Sequence, residues 1–396
     1  MDKIEELLTR GVANVIPSKD ELKKSLTSDK KLNVYLGVDP TATKIHLGHT
    51  VALRKLNEFS KLGHSVTFLI GDFTALIGDT SDKDTERPIL TSEQIKENFK
   101  TYKGQAEKIL DLSKVDIKYN SEWLKNLGLK EVVKLCQQFS LNDFISRELI
   151  RKRLDKGKKI ALHEVLYPVM QGYDSYFLNM DLQIGGADQT FNMQAGRTLQ
   201  KKLRNKDAFV LTTEYLMGTD GRKMSKSWGN AIWIDDNPND MFAKIMAIND
   251  SLIDQYFILA TNENLEKIKQ IKSGKKPMDI KKELATIIVT DLHSEKDAIS
   301  AKKNFEKTVQ KRELPTDIKT TIVKQSFVST ASVAMGTVSA GLASSISDAK
   351  RVSEQGGLKI NNEIVTDPNA QLSKYIKGEE TVIQRGPRRF VKIRIK

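Results

Sequence analysis

Cysteine is almost absent: Cys136 is the single one in 396 residues. That excludes an internal disulfide framework and any zinc or iron–sulfur site built on several thiolates. Set in Val132-Val133-Lys134-Leu135-Cys136, it reads as a small buried hydrophobe. Long apolar runs are missing as well. No stretch of 18 residues is apolar and free of charge, so no membrane-spanning helix is expected, and a hydrophobic content of 39% fits a globular chain in water. The opening residues, Met1 to Leu8, read as a charged amphipathic helix without the apolar core of a secretory signal, so a cytoplasmic location is expected. There is no internal repeat and no low-complexity segment.

What is abundant is positive charge. Lys and Arg number 64 against 51 Asp and Glu, a net of +13. Such an excess suits a polyanionic partner, although a generally lysine-rich composition produces the same number. The length favours two or three compact units. Between about 30 and 220, short β-branched runs alternate with longer amphipathic stretches, the rhythm of an α/β fold with a mostly parallel sheet. Strands are predicted at 34–38, 65–70, 116–119, 182–184 and 209–211. Helices are predicted at 46–62, 92–111, 122–138, 163–178 and 189–203, each apolar on one face. The stretch 140–162 interrupts this rhythm, and its basic run from Arg151 to Lys159 reads as a solvated surface. From Pro238 to about Ile322 lysine-rich helices replace strands, with breaks at Pro277 and Pro315. After a Ser/Thr/Val stretch at 326–334 come short helices, the turn Gly356-Gly357 and a β-rich end. The expected organisation is a Rossmann-like α/β domain over 1–230, an α-helical domain over 231–325 and a small α+β domain over 332–396.

The first predicted strand ends at Gly37-Val38-Asp39-Pro40-Thr41, and a short loop then feeds a helix opening with His46-Leu47-Gly48-His49. Ligands of open α/β sheets lie off the carboxyl ends of strands, and a helix N-terminus offers free N–H groups and a positive dipole to phosphate. His46 and His49 share one helical face, and Gly48 leaves space for a base or ribose. An HxxH pair alone could equally hold a metal or lie on the surface. No third ligand stands nearby, and no protein-held metal is expected. Far downstream, Gly218-Thr219-Asp220-Gly221-Arg222-Lys223-Met224-Ser225-Lys226-Ser227 is a polar, glycine-containing loop. Its two lysines, three positions apart, suit it to close over a triphosphate, and taken alone it is equally a solvated basic turn. In the predicted helix 163–178, Tyr167, Gln171 and Asp174 fall at i, i+4 and i+7 on one face. Burying that face buries a carboxylate, which is costly unless a ligand supplies partners. A plain amphipathic helix is the other reading.

Together the two motifs resemble the HIGH and KMSKS signatures of class I aminoacyl-tRNA synthetases. The HxGH nucleotidylyltransferases share the histidine motif but lack the lysine loop. A synthetase-like RNA-binding protein without catalysis is the other alternative, disfavoured by two intact signatures. Longer blocks narrow the choice: Tyr35 to Asp39 with Pro40-Thr41-Ala42, Ile77-Gly78-Asp79, Tyr167 to Asp174 and Leu182 to Gln189 are similar to tyrosyl-tRNA synthetases over nearly the whole chain. The resemblance implies activation of L-tyrosine by ATP, with Mg2+ carried on the phosphates, and transfer to tRNA(Tyr). By it, Tyr35 and Asp174 bind the substrate phenol, with Tyr35 as donor and Asp174 as acceptor, and Asp79, Tyr167 and Gln171 hold the ammonium group. Gln189 contacts the adenylate or the tyrosine carbonyl. His46, His49, Lys223 and Lys226 face the departing pyrophosphate, helped by Thr41, Lys83 and Arg87. Asp188 accepts from the ribose, Gly37 and Gly186 admit close backbone approach, and Asp39, Gly48 and Met224 complete the ATP site. The resemblance also implies that no editing domain is present, because tyrosyl enzymes are the established example of rejecting phenylalanine, by about 10⁵, through hydrogen bonding alone. The loop Asp79-Thr80-Ser81-Asp82-Lys83 departs from the proline and glycine common in the family and leaves the role of Lys83 open. Ala187 and Thr190 replace a common serine and tryptophan.

The last 65 residues, from Ser332, hold eleven Lys/Arg against six Asp/Glu. Ala340 to Arg351 followed by Gln355 to Asn361 resembles the RNA-binding domain named after ribosomal protein S-four. That implies phosphate contacts for Lys350, Arg351, Lys359, Arg385, Arg388 and Arg389. The resemblance also implies a homodimer joined through about 120–165, a KMSKS loop at 222–230 and no membrane partner.

Overall fold

The computed structural model describes residues 2–79, 90–310, 318–386 and 389–396. Its β-branched runs form a six-stranded sheet of β1 (Val12–Ile16), β2 (Asn33–Val38), β3 (Ser65–Ile70), β4 (Asp116–Tyr119), β5 (Leu182–Gly186) and β6 (Phe209–Thr213). The order is β1-β6-β5-β2-β3-β4, parallel throughout except where β1 pairs antiparallel with β6. Buried runs along β2, β3 and β5 fit a parallel sheet covered on both faces by crossover helices. The helix Leu47–Lys61 supplies one such cover, burying Leu47, Val51, Leu53, Leu56 and Phe59. Strands β3 and β4 lie to one side of β2, and β5 and β6 to the other. The chain therefore reverses direction of build between β2 and β5, and the loops leaving their carboxyl ends part to form a crevice.

Three local differences have physical causes. The edge strand β1 is not predicted because Ala13 and Asn14 are exposed and a register shift between Val12 and Asn14 spoils the two-residue alternation. The helix expected over 122–138 is two, Ser121–Leu124 and Leu129–Cys136, broken where Gly128 turns extended at φ −71°, ψ 158°. The basic run after residue 150 is a solvated surface only in part. Arg153 is buried, and its guanidinium donates to both Glu164 oxygens at 2.6 and 3.2 Å.

Contacts gather residues up to Asn237 together with Lys244–Ser294 into one unit, and Pro238–Ala243 with Glu295–Lys396 into another. In the first, Arg10 donates to the carbonyls of Phe257, Ile258, Thr261 and Glu263 at 2.6–3.0 Å, tying the N-terminal segment to the end of the helix Ile253–Ala260. The helical segment read from sequence as 231–325 is thus shared between the two units.

The second unit carries a sheet of β7 (Thr320–Val323), β8 (Leu358–Ile360), β9 (Glu363–Ile364), β10 (Glu380–Arg385) and β11 (Arg389–Ile395), in the order β7-β11-β10-β8-β9. Val323, Val328, Ala331, Leu358, Ile383 and Ile393 share its core. This small fold therefore begins before residue 326, because β7, too short to announce itself, joins the last strand in parallel. Among the described residues no helix is long and apolar enough to cross a membrane.

Candidate active site

A cavity of about 490 Å³ opens at the carboxyl ends of β2 and β5. The helix Leu162–Phe177 turns one face toward it, and all three polar positions predicted on that face, Tyr167, Gln171 and Asp174, line it. Asp174 is buried, with Oδ1 accepting from Trp123 Nε1 at 2.7 Å and Oδ2 from Asn120 Nδ2 at 3.1 Å. Burial pushes its carboxyl up to about 8, against the pull of those two donors. Tyr35, also buried, lines the same end. Its hydroxyl donates to Gln183 Oε1 at 3.0 Å, and Gln183 is oriented in turn by donating to the Met193 carbonyl. Burial and the nearby Asp174 raise the Tyr35 phenol well above its usual range.

The other polar groups form short chains. Tyr167 donates to Asp39 Oδ2 at 2.9 Å, and Thr74 to Asp39 Oδ1 at 2.8 Å. Gln189 donates to Asp79 Oδ2 at 2.7 Å. Asn192 bridges to Gln189 Oε1 at 3.1 Å. The sequence reading missed Asn120, Trp123, Gln183 and Asn192: Asn120 and Gln183 line the cavity themselves, and Trp123 and Asn192 bond to Asp174 and Gln189. Signals existed for three of them: Asn120 and Trp123 come soon after β4, at the carboxyl edge where ligand-side groups gather, and Gln183 falls inside the block Leu182 to Gln189.

On the nucleotide side, the rings of His46 and His49 stack with centroids 3.7 Å apart. The His46 backbone N–H donates to His49 Nδ1 at 3.2 Å, which leaves the proton of a neutral His49 on Nε2. Burial, then Lys226 and Lys223, lower His46 to about 3, and burial with His46 beside it lowers His49 well below the ordinary value. His46 Nδ1 is buried without a hydrogen-bond partner, a group that a ligand could satisfy. Gly48 makes room for a side chain: a Cβ there would stand 3.0 Å from the His46 ring. A Cβ on Gly186 would lie 2.6 Å from Asp188 Oδ1, so a side chain there would have to displace that carboxylate. Thr41 and Gly37 line the cavity too.

The two signature motifs, remote in sequence, are joined by backbone. Leu47 N–H donates to the Ile232 carbonyl at 2.9 Å and Ile234 N–H to that of Ile45 at 3.1 Å, so the chain leaving the lysine loop runs along the start of the histidine helix. Lys223 Nζ lies 3.2 Å from Asp188 Oδ2 and 4.1 Å from the centre of the Tyr215 ring. Met224 is buried, whereas Lys226 is exposed at the cavity edge. Lys83 and Arg87 lie outside the described residues. Among the described residues no group of three or more His, Cys, Asp or Glu side chains could hold a metal ion.

In the C-terminal unit the basic residues are not equivalent. Arg385 donates to both Asp348 oxygens at 2.7 and 3.0 Å and to the Leu342 carbonyl at 2.7 Å. Arg351 also reaches Asp348, at 2.9 Å, from an exposed position. Arg385 is therefore a brace between β10 and the helix Ile346–Glu354. Arg389 is exposed, Lys350 and Lys359 are half-buried, and Arg388 lies outside the described residues.

Residues 27–310 match the model of the class I tRNA synthetases (W and Y), and residues 337–374 match the S4 domain. Curated relatives named tyrosine–tRNA ligase include that of Carboxydothermus hydrogenoformans, 43% identical over 98% of this chain and 97% of its own length. Another, from Aquifex aeolicus, is 42% identical with the same coverage. Among solved structures, a tyrosyl-tRNA synthetase from Archaeoglobus fulgidus complexed with L-tyrosine superposes with a TM-score of 0.59 at 25% identity, covering 76% of this chain and 100% of that one. With both class signatures at one crevice and relatives of this identity along the full chain, the protein belongs to the class I tRNA synthetases of the tryptophan and tyrosine type, and within them to the tyrosine–tRNA ligases.

Proposed function

We infer that this cavity joins L-tyrosine to ATP, releasing pyrophosphate, and then passes the tyrosyl group to the 3′ end of tRNA(Tyr). The observation that carries the reading is the pairing of buried Asp174 with Tyr35 at one end of a cavity whose other end holds His46, His49 and the lysine loop. A phenol hydroxyl donating to Asp174 would be recognised, and phenylalanine would leave that buried carboxyl and Tyr35 without their polar partner. Asp79, Tyr167 and Gln171 would hold the ammonium group, with Gln189 giving up its bond to Asp79 as the amino acid enters. Asp188 would accept from the ribose hydroxyls.

The tyrosine carboxylate oxygen attacks the α-phosphorus, a P–O bond forms, and the bond to the bridging oxygen of the β-phosphate breaks. No protein nucleophile is needed. The chain's contribution is alignment of the two substrates and donors for the charge growing on pyrophosphate. Neutral His46 and His49 offer N–H groups and Lys223 and Lys226 offer cations, with Thr41 as a further donor; Lys83 and Arg87 are proposed for the same task. Magnesium arriving on the ATP phosphates would add positive charge there. Asp39, Asp79, Asp174 and Asp188 are each engaged by protein donors, which argues against a carboxylate cage for it. In the second step the tRNA hydroxyl attacks the tyrosyl carbonyl and AMP leaves. Lys350, Arg351, Lys359, Arg388 and Arg389 are proposed to meet tRNA phosphates, with Arg385 supporting their surface. A homodimer is proposed through about 120–165, where Leu129, Leu141 and Leu162 are 80%, 61% and 74% exposed. A cytoplasmic setting completes the reading, consistent with a single unpaired cysteine.

The test is pyrophosphate exchange into ATP. Strict dependence on tyrosine is expected, abolished by Asp174→Ala, while Lys226→Ala should slow exchange and spare tyrosine binding. Exchange that proceeds with another amino acid, or with none, would overturn the reading.

A further inference from the structure

The lysine loop is held by a buried residue whose side chain bonds to the loop's backbone and to Asp220 and to none of the tyrosine-side residues. Asn230 is 2% exposed, at the downstream foot of the loop. Its Nδ2 donates to Asp220 Oδ1 at 2.8 Å and to the Lys223 carbonyl at 3.1 Å, and lies 3.5 Å from the Arg222 carbonyl. Its Oδ1 accepts from the Ser225 N–H at 2.9 Å, and its own carbonyl accepts from the Thr219 N–H at 3.1 Å. One buried amide thus grips both limbs of the loop, including the peptide on either side of Met224. Asp220 is the second member of this staple: its Oδ1 also accepts from the Arg222 N–H at 3.0 Å. The fit is close. A Cβ on Gly218 would fall 2.5 Å from the Asn230 amide and 2.7 Å from its carbonyl oxygen, so only glycine leaves room.

We propose that Asn230, with Asp220, is the positioning residue of the lysine loop, fixing the backbone from which Lys223 and Lys226 reach the pyrophosphate. The side-chain amide does what no carboxylate or alkyl group of its size can: it donates to a carbonyl on one side of Met224 and accepts from an N–H on the other. Asn230→Asp keeps the shape and the acceptor but loses both donated bonds, and sets a carboxylate against Asp220 and two carbonyls. The loop would then be released without emptying the amino-acid pocket, none of whose tyrosine-side residues touches Asn230. Misplacement of a charged group by about 1 Å is enough to cost on the order of a hundredfold in rate.

This rests on the assignment of Lys223 and Lys226 given above, so Lys226→Ala is measured alongside. Single-turnover formation of the adenylate, tyrosine Kd by equilibrium dialysis and the thermal midpoint are recorded for Asn230→Asp, Gly218→Ala and Asp220→Ala in the full chain. Asn230→Asp and Gly218→Ala should slow adenylate formation by about tenfold to a hundredfold and leave tyrosine Kd within about twofold. Asp220→Ala, at an exposed position, should move the rate the same way by a smaller factor. Exchanging the pair, Asn230→Asp with Asp220→Asn, restores one donor–acceptor bond and should recover part of the rate. Full rate in Asn230→Asp beside a slow Lys226→Ala overturns the positioning role alone. Full rate in Lys226→Ala instead sinks the loop assignment itself. Equal loss of rate and tyrosine affinity in all three variants, tracking a lowered thermal midpoint, makes Asn230 a purely structural residue and also overturns the proposal.

Discussion

Tyrosine binding should expel a proton from Asp174. Burial holds that carboxyl near 8, even with Trp123 and Asn120 donating to it. A group of that pKa is ionised in only about a tenth of molecules at pH 7 and about a hundredth at pH 6. A phenol hydroxyl arriving as a third donor favours the ionised form. The free enzyme then carries the acid and the complex the carboxylate, so the association constant rises with pH, by about tenfold per unit below 8, and levels off above it. Calorimetric titration in buffers of different ionisation enthalpy, between pH 6 and 8, reads both the slope and the proton count. Close to one proton should leave per tyrosine at pH 6, and about half at pH 8. Trp123→Phe removes a hydrogen bond to a charged acceptor worth about 1.5–3 kcal/mol, which should displace the rise upward by about one to two pH units. Affinity that stays flat from pH 6 to 8 with no proton released would refute this. Asp174 would then be a neutral donor to the phenol oxygen, and Tyr35, whose proton already goes to Gln183, the acceptor.

Three other outcomes follow from the same geometry. Arg153→Met leaves Glu164 buried without its bidentate guanidinium and should cost about 3–5 kcal/mol in urea unfolding, whereas pairing it with Glu164→Leu should recover most of the loss; a single-variant cost below about 1 kcal/mol would contradict the account. Burial, then the neighbouring lysines, lower His46 to about 3, and burial with His46 beside it lowers His49 well below the ordinary value, so at saturating tyrosine the rate of adenylate formation should show no imidazole limb near pH 6.5. A limb there that disappears in His49→Asn would disprove neutral donors. Finally, Leu162→Asp, at one of the exposed leucines of the 120–165 stretch, should halve the mass seen in sedimentation if that stretch joins two copies, and a monomeric wild-type chain would remove the dimer reading.

How far the sequence reached is clearest along the sheet. Strands β2 to β6 and the helix carrying Tyr167, Gln171 and Asp174 were legible because apolar periodicity is a local property, set by which face of each element must leave water. The same holds for the histidine and lysine motifs, whose glycines and spacing mark a turn before a helix and a polar loop. Partnership was not legible. That Arg153 is buried against Glu164, that Arg385 braces Asp348, and that Gln189 rests on Asp79 depend on which elements the fold brings together. Nothing in the local pattern distinguishes a solvated arginine from a desolvated one, because the difference lies in the carboxylate that another segment supplies.

By itself the sequence determined the α/β class, the histidine and lysine motifs around His46, His49, Lys223 and Lys226, and the polar face ending in Asp174. Only the tertiary structure decided that β2 and β5 are neighbours, so that these groups share one cavity, and that the chain after the lysine loop lies against the start of the histidine helix. It also decided the protonation that burial imposes: a carboxyl raised to about 8 at one end and imidazoles kept neutral at the other. The physical reason is common to both. Residue type fixes what a group can donate, accept or ionise, whereas its distance from water and from other charges is a property of the folded whole.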